Sequence, residues 1–187
     1  MVAVSVKRFT TEEFHRLGKL GFFDDGAVEL IRGELIEMSP KRTLHSVCNT
    51  RLVKRLIVLL EEQATVRGQE PLALSERSEP SPDVVVAKYR EDDYLDGHPG
   101  PGDCWVVMEI SDSTLSYDRS TKLSLYAESG VLHYWIFNLV NRQLEVYHEP
   151  YQDSQGEYGY RQKLTYLATE RVELPVEGWL ELDGLFP

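Results

Sequence analysis

Apolar and polar residues alternate with different periods along the chain, and the N-terminal part predicts a helix and a hairpin. Thr10-Thr11-Glu12-Glu13 has the form of a capping box, and apolar residues follow it at helical spacing, so we expect a short helix to about Lys19. Residues 28–31 and 34–38 are short alternating runs on either side of Arg32-Gly33. These runs predict a tight β-hairpin.

The middle of the chain predicts a long helix followed by three strands. From residue 43 to about residue 65, apolar residues recur every four positions, at Leu44, Cys48, Leu52, Leu56 and Leu60. This spacing predicts a helix with a wide buried face. Apolar runs at residues 71–74, 83–87 and 104–110 are typical of strands in a buried sheet, and the polar stretch 88–103 predicts a loop.

The last third of the chain predicts one more helix and several strands. Residues 118–128 have helical spacing and end at Ser129-Gly130, where glycine favours a left-handed cap. Strands are expected at residues 132–138 and 143–148, and two or three short strands after a polar loop at 152–159. The whole order predicts an α/β fold, in which a central mixed β-sheet is flanked by helices.

Composition sets the expected size and setting of this fold. The chain has 187 residues, of which 42% are hydrophobic, so we predict one domain over residues 1–187 with its core at about 26–148. No apolar run approaches the roughly 20 residues that cross a bilayer, and no signal peptide follows the first methionine, so we expect a cytoplasmic protein with no membrane partner. Cys48 and Cys104 have neither C-x-x-C nor zinc-ligand spacing, and we expect both to be small core residues.

The charge balance argues against a partner that carries phosphates. The formal net charge is −11, from 31 acidic and 20 basic residues, whereas a surface that follows a phosphate backbone normally carries a positive excess. Bound divalent ions would neutralise some of the carboxylates. A protein that binds its substrate only as a dimer could also confine its basic side chains to the binding site.

Two acids lie where an isolated charge would be costly. Asp83 starts the apolar run Val84-Val85-Val86, and Glu109 lies near the end of another. A carboxylate inside so apolar a strand must be paired or bound to a metal ion. One alternative is a structural ion pair between Glu109 and an arginine such as Arg119. The other is a site for divalent cations, which take oxygen ligands and assist phosphodiester hydrolysis beside a lysine.

The spacing of these residues resembles a known signature. Pro82-Asp83 followed by Glu109-Ile110-Ser111 is similar to the PD-(D/E)XK pattern, with serine where lysine would stand, and Lys122 follows on the next predicted helix. The chain resembles, over nearly its whole length, a bacterial family of restriction endonucleases of the Uma type, within the restriction-endonuclease-like PD-(D/E)XK superfamily. The blocks that carry the resemblance include Val28-Glu29-Leu30-Ile31-Arg32-Gly33-Glu34-Leu35, Met38-Ser39-Pro40, His45, Ser113-Thr114, Asp118, Lys122-Leu123, Tyr126-Ala127 and Gly130-Val131-Leu132-His133-Tyr134-Trp135.

This resemblance implies a restriction-endonuclease-like fold and a role for each matched residue. Asp83, Glu109 and the main-chain carbonyl of Ile110 would bind Mg²⁺, with Mn²⁺ as a second possible ion. Lys122 would take the place of the catalytic lysine. Glu29 would be the outer acidic residue. Glu34 is the alternative for that role, although it could equally be an exposed acid of the hairpin.

Other positions keep two interpretations open. Asp118 and Lys122 are four residues apart on one predicted helix, so a surface ion pair competes with a site role for both, and Asp118 could also cap the helix. His45 could contact phosphate or water near the metal, or it could cap or pack the long helix. Asp112 stands where the family usually has proline, and it adds negative charge beside the predicted site.

These observations predict a metal-dependent endonuclease that hydrolyses DNA phosphodiester bonds. A homodimer is expected, because a domain of this size would cover one strand. The alternative is a catalytically silent module of the same fold that binds nucleic acid or protein. A hydrolase of another class has little support, because the sequence has no G-x-S-x-G, P-loop or H-E-x-x-H motif.

Overall fold

The computed structural model describes residues 5–187, and its elements follow the predicted α/β order. In chain order they are α1 (Thr11–Lys19), β1 (Val28–Ile31), β2 (Glu34–Glu37), α2 (Thr43–Leu60), β3 (Ala64–Gly68), β4 (Val84–Lys88), β5 (Cys104–Ser111), α3 (Leu115–Tyr117), a π-helical turn (Asp118–Lys122), α4 (Leu123–Glu128), β6 (His133–Asn138), β7 (Gln143–Gln152), β8 (Tyr158–Leu167), β9 (Arg171–Glu173) and β10 (Trp179–Glu181).

A six-stranded sheet forms the centre of the fold. Its strand order is β3-β4-β5-β6-β7-β8, and β5 and β6 run parallel while the other neighbours are antiparallel. The pairs β1-β2 and β9-β10 form two small separate sheets. The prediction of a central mixed sheet flanked by helices is confirmed.

Each face of the six-stranded sheet is covered by its own apolar core. Val106 and Met108 of β5 point into a core that includes residues of α2 and of the C-terminal segment, such as Leu52 and Leu185. Val107 points the other way, into a core that includes residues of β1 and α4. Because side chains alternate along a strand, Glu109 shares the face of Val107 and lies under α4.

The N-terminal helix and the hairpin are confirmed. Thr10 Oγ1 accepts a hydrogen bond from Glu13 N at 3.2 Å, and Glu13 Oε2 accepts one from Thr10 N at 3.0 Å, which completes the predicted capping box. Arg32 and Gly33 have φ angles of 49° and 79°, as a type I′ turn requires. A Cβ atom at Gly33 would lie 2.7 Å from Arg8 Cβ, so the turn requires glycine there for space as well.

The long helix is shorter and narrower than its spacing predicts. α2 ends at Leu60, residues 61–63 form a 3₁₀ turn, and from Ala64 the chain is strand β3, so the predicted end near residue 65 is wrong. Cys48, Leu52, Leu56 and Leu60 are buried as expected, but Leu44 is 54% exposed. The end of the helical pattern is overridden because β3 pairs with β4 along its whole length.

Two strand predictions need correction. Residues 71–74 are not a strand: Leu72 N donates to Pro80 O and Ala73 N to Pro99 O, so this segment is a loop that buries Leu72 and Leu74, and β3 takes the edge position of the sheet. β7 continues to Gln152, and β8 is a long strand that pairs with it, where short strands were expected. The single domain over residues 1–187 with a core at about 26–148 stays a prediction.

Both cysteines are buried small residues of the core, as predicted. Burial raises the pKa of the Cys48 and Cys104 thiols to about 12, which leaves them protonated and unreactive at neutral pH. Within residues 5–187, none of the helices is long and apolar enough to cross a membrane.

Candidate active site

Asp83 and Glu109 meet where the start of one strand lies beside the end of the next. β4 and β5 are antiparallel and Val84 pairs with Met108, so the residue before β4 comes opposite the residue near the end of β5. Asp83 N donates to Glu109 Oε2 at 3.3 Å, and Ile110 N donates to Asp83 Oδ2 at 2.9 Å. Sheet register therefore brings together two acids that are 26 positions apart in the sequence.

Glu109 is buried and faces two donors from the helix above it. Its Oε1 accepts hydrogen bonds from Tyr126 OH at 2.8 Å and from Lys122 Nζ at 3.3 Å. Burial raises the pKa of Glu109 to about 8, although the Lys122 charge acts in the opposite direction. The alternative of a structural pair with Arg119 is wrong, because Arg119 forms its ion pair with Glu145.

Lys122 is fully buried between two carboxylates. Its Nζ lies 2.7 Å from Glu29 Oε2 and 3.3 Å from Glu109 Oε1. Burial disfavours the charged amine, but the charges of Glu109 and Glu29 outweigh it and raise the pKa of Lys122, so the ammonium form persists at neutral pH. Glu29 is held in turn by Ser81 N, which donates to its Oε1 at 2.8 Å. Glu34 lies at the exposed end of the hairpin and pairs with Arg8.

Asp118 is also buried, so the surface ion pair with Lys122 is wrong for both residues. Its Oδ2 accepts hydrogen bonds from Ser111 Oγ at 2.6 Å and Thr114 Oγ1 at 2.7 Å. Burial raises the pKa of Asp118 against the effect of these two hydrogen bonds. Asp118 therefore joins the end of β5 to the turn that carries Lys122.

That turn is π-helical and has its own anchor. Residues 118–122 form a single wide turn inside the helix, a distortion often found at functional sites. Arg119 Nε donates at 3.0 Å to Glu145 Oε2 on β7, and the buried Glu145 also accepts from Asn138 at 2.9 Å and from Tyr147 at 2.7 Å. Burial would raise the pKa of Glu145, but the hydrogen bonds from Arg119, Lys163 and these two residues lower it. A fixed anion in the sheet thus positions the turn that presents Lys122.

His45 and Lys41 contact the second acid of the site. His45 Nε2 lies 2.9 Å from Asp83 Oδ2, and Lys41 Nζ lies 3.1 Å from Asp83 Oδ1. Burial would raise the pKa of Asp83, but the hydrogen bond from His45 and the charges of both residues lower it. His45 thus lies at the site and does not only pack α2. Lys41 was missed by sequence reasoning, because a lysine after Pro40 belongs to no pattern.

Tyr126 was missed as a site residue for a different reason. Its helical spacing predicts a core residue, and its ring is indeed buried, but its hydroxyl reaches Glu109. The available signal was its position four residues after Lys122, which places both side chains on one face of a helix.

A cleft opens above these groups. It is bordered by residues of the β2–α2 connection, of the two strand ends and of the turn after β5, namely Met38, Ser39, Pro40, Lys41, Arg42, His45, Ser81, Asp83, Glu109, Ile110, Asp112, Ser113, Thr114, Tyr117, Asp118 and Lys122. Arg42 NH1 lies 3.6 Å from Asp112 Oδ2, and both residues border the cleft. The carboxylates of Asp83, Glu109 and Asp118 thus border the same cleft as these two exchangeable surface charges.

The donor set fits a hard divalent cation if the main chain contributes. Within residues 5–187 no three His, Cys, Asp or Glu side chains are grouped closely enough to hold a metal ion by themselves. Asp83 and Glu109 offer carboxylate oxygens that Mg²⁺ and Mn²⁺ prefer, and Ile110 borders the same cleft. A cation here would also offset the cost of ionising the buried Glu109.

Glu109 predicts a pH-dependent stability. Its pKa is about 8 in the folded chain against an ordinary 4.5, so between these values the folded state retains a proton that the unfolded chain releases. By linkage, the contribution of Glu109 to stability is present in full below pH 4.5 and is lost as pH rises towards 8. We therefore expect Glu109→Gln to flatten the decline of the unfolding free energy from pH 5 to pH 8, measured by urea unfolding without divalent ions.

The matched control is Glu91→Gln, at an exposed loop position. It should keep the wild-type pH profile. An unchanged profile in Glu109→Gln would show that the proton is not held by Glu109.

Most of the sequence matches one known protein family. This is the Uma2 family, described as "putative restriction endonuclease", and the match covers residues 11–183. None of the curated proteins matches it. Among solved structures it is similar to a putative nuclease of the DUF820 group from Anabaena variabilis ATCC 29413, with a TM-score of 0.68 and 16% sequence identity over 95% of this chain and 97% of that chain.

Proposed function

The chain belongs to the Uma2 family of putative restriction endonucleases and has a nuclease-like fold, and from that premise we propose that it hydrolyses phosphodiester bonds in DNA with the help of a divalent cation. One observation carries the proposal: Lys122 is buried as an ammonium between Glu29 and Glu109, and Glu109 in turn contacts Asp83. Burying an ionised side chain costs several kcal/mol unless an opposite charge pairs with it. Here the paired groups are buried together, and Asp83, Glu109 and Lys122 border the cleft.

The proposed metal ligands are Asp83, Glu109 and the main-chain carbonyl of Ile110, and the proposed ion is Mg²⁺ or Mn²⁺. When bound, such a cation polarises the phosphate and lowers the pKa of a water molecule, which then acts as the nucleophile. Asp83 needs no proton to be removed for this role, because its pKa is already lowered. Glu109 is expected to lose its proton as the cation binds.

Lys122 supplies a fixed positive charge next to the reacting phosphate. The oxygen of water bonds to phosphorus and gives up a proton to solvent, while the bond to the leaving oxygen breaks and that oxygen takes up a proton from solvent. Negative charge grows on the phosphate oxygens during this step, and an ammonium group that is already oriented stabilises it. Glu29 holds Lys122 from the rear at 2.7 Å. Tyr126 holds Glu109 through its hydroxyl, so neither group must reorganise during the reaction.

DNA is the proposed substrate despite the net charge of −11. Lys41, Arg42 and His45 at the cleft give it a local supply of basic groups. We also propose a homodimer, because two copies of so small a site would reach both strands of a duplex.

The proposal is tested by incubating the purified chain with supercoiled plasmid, linear duplex, single-stranded DNA and RNA of the same sequence. Each is tested with Mg²⁺, with Mn²⁺ and with EDTA. We expect cleavage of DNA that requires the divalent ion and stops in EDTA. Binding of DNA without cleavage in either ion would instead favour the silent binding module.

A further inference from the structure

Lys41 pairs with the carboxylate that the proposed function gives to a metal ion. Its Nζ lies 3.1 Å from Asp83 Oδ1, while Asp83 Oδ2 already accepts from Ile110 N and contacts His45. A divalent cation bound to Asp83 would compete with the Lys41 ammonium for the same carboxylate oxygens. The cation carries twice the charge of the ammonium, so the carboxylate attracts it more strongly. Of the two basic side chains on Asp83, Lys41 is the easier to displace, because it is 37% exposed and His45 is 12% exposed.

Once displaced, the ammonium of Lys41 stays at the cleft. Lys41 belongs to the connection between β2 and α2 that forms one wall of the cleft, and Arg42 is the next residue on it. Lysine has a flexible four-carbon side chain and a strongly hydrated charge, which suits it to change partners. A free ammonium here faces the same opening that a phosphate group would enter.

The start of α2 adds to the positive charge at the cleft. α2 begins at Thr43, and among the residues that the structure describes its first turn contains no acid of its own and Arg42 at the cap position makes no side-chain capping hydrogen bond. The positive end of the helix dipole therefore adds to Lys41 and Arg42. Arg42 has only a 3.6 Å pair with Asp112 and is 71% exposed, so it too is available to a phosphate.

From this arrangement we propose that Lys41 exchanges partners: it neutralises Asp83 while no cation is bound, and a divalent cation releases it to bind a backbone phosphate of the nucleic acid. The inference rests on the proposed function and assigns Lys41 and Arg42 as its phosphate-binding residues. It also explains how so acidic a chain binds DNA, since cation binding both neutralises the carboxylates and frees a basic side chain.

The test is Lys41→Met, which keeps the length and removes the charge. Binding of Mn²⁺ alone is measured by calorimetry, and binding of a labelled DNA duplex is measured by fluorescence anisotropy in Ca²⁺. We expect Mn²⁺ to bind about three- to fivefold more tightly, the range of a part-exposed ion pair. We expect the duplex to bind about five- to tenfold more weakly, with the slope of log K against log[salt] reduced by about one.

Lys54→Met is the matched control, because Lys54 lies exposed on α2 and outside the cleft. It should leave both affinities unchanged. Opposite changes in Lys41→Met support the exchange. Weaker Mn²⁺ binding in Lys41→Met, or duplex binding equal to that of wild type, would overturn it.

Neither readout depends on cleavage. A wild-type chain that cleaves nothing, combined with the expected binding changes, would reject the proposed nuclease and keep the role of Lys41. A wild-type chain that cleaves DNA, combined with a Lys41→Met variant that behaves like Lys54→Met, would keep the proposed nuclease and reject the role of Lys41.

Discussion

Replacing Asp83 with asparagine is expected to abolish binding of Mn²⁺ and to slow DNA cleavage by about a thousandfold or more. Asparagine has nearly the same size and can still accept from Ile110 N, but it lacks the charge that holds a hard cation. The cation supplies several kcal/mol of charge stabilisation in the transition state, which corresponds to roughly a thousandfold in rate. Mn²⁺ titration and single-turnover cleavage of a labelled duplex measure the two effects.

Asp25→Asn is the control for this variant, because Asp25 is exposed and lies outside the cleft. It makes the same chemical change at the surface and should leave both measurements at wild-type values. Full Mn²⁺ affinity in Asp83→Asn would exclude Asp83 as a ligand.

Lys122→Met is expected to slow cleavage by about 10²- to 10³-fold, as the loss of one fixed group that stabilises transition-state charge does. It should also lower the unfolding free energy by about 3–5 kcal/mol near pH 8, because it leaves the buried Glu29 carboxylate without a counter-charge and keeps the neighbouring Glu109 in its protonated form. Single-turnover cleavage and urea unfolding near pH 8 measure these effects.

A second substitution separates the catalytic effect from the structural one. Glu29→Gln removes the uncompensated charge of Glu29 and keeps an oxygen that can accept from Ser81 N. In Lys122→Met combined with Glu29→Gln, much of the stability should return while cleavage stays low. Recovery of cleavage together with stability would mean that Lys122 acts only in folding.

The local parts of the fold follow from the sequence because their signals are local. The capping box at Thr10 and the Arg32-Gly33 turn each depend on residues within a few positions of one another, and both are present as predicted. β3 could not be predicted, since Ala64–Gly68 is a strand only through its pairing with β4, which lies 20 residues further along the chain. The strand predicted at residues 71–74 is a loop instead. Its apolar composition is the same as that of a buried strand, so composition alone could not distinguish the two.

Some residues of the candidate site could also be predicted from the sequence, and others could not. Asp83 and Glu109 stand out in the sequence because a carboxylate in an apolar strand needs a partner, and the register of β4 and β5 does bring them together. The sequence could not show that Lys122 and Asp118 are buried, because the helical pattern places them at ordinary surface spacing and gives no sign of a π-helical turn. Lys41 contacts Asp83 through the tertiary structure alone.

The most direct measurement incubates supercoiled plasmid with Mg²⁺ or with Mn²⁺ and equal concentrations of the wild-type chain, Asp83→Asn and Asp25→Asn, prepared in parallel. The expected result is nicked and linear DNA with the wild type and with Asp25→Asn, and intact plasmid with Asp83→Asn or with EDTA. Plasmid that stays intact with the wild type in both Mg²⁺ and Mn²⁺, or that is cut equally by Asp83→Asn, would contradict a metal-dependent nuclease centred on Asp83 and Glu109.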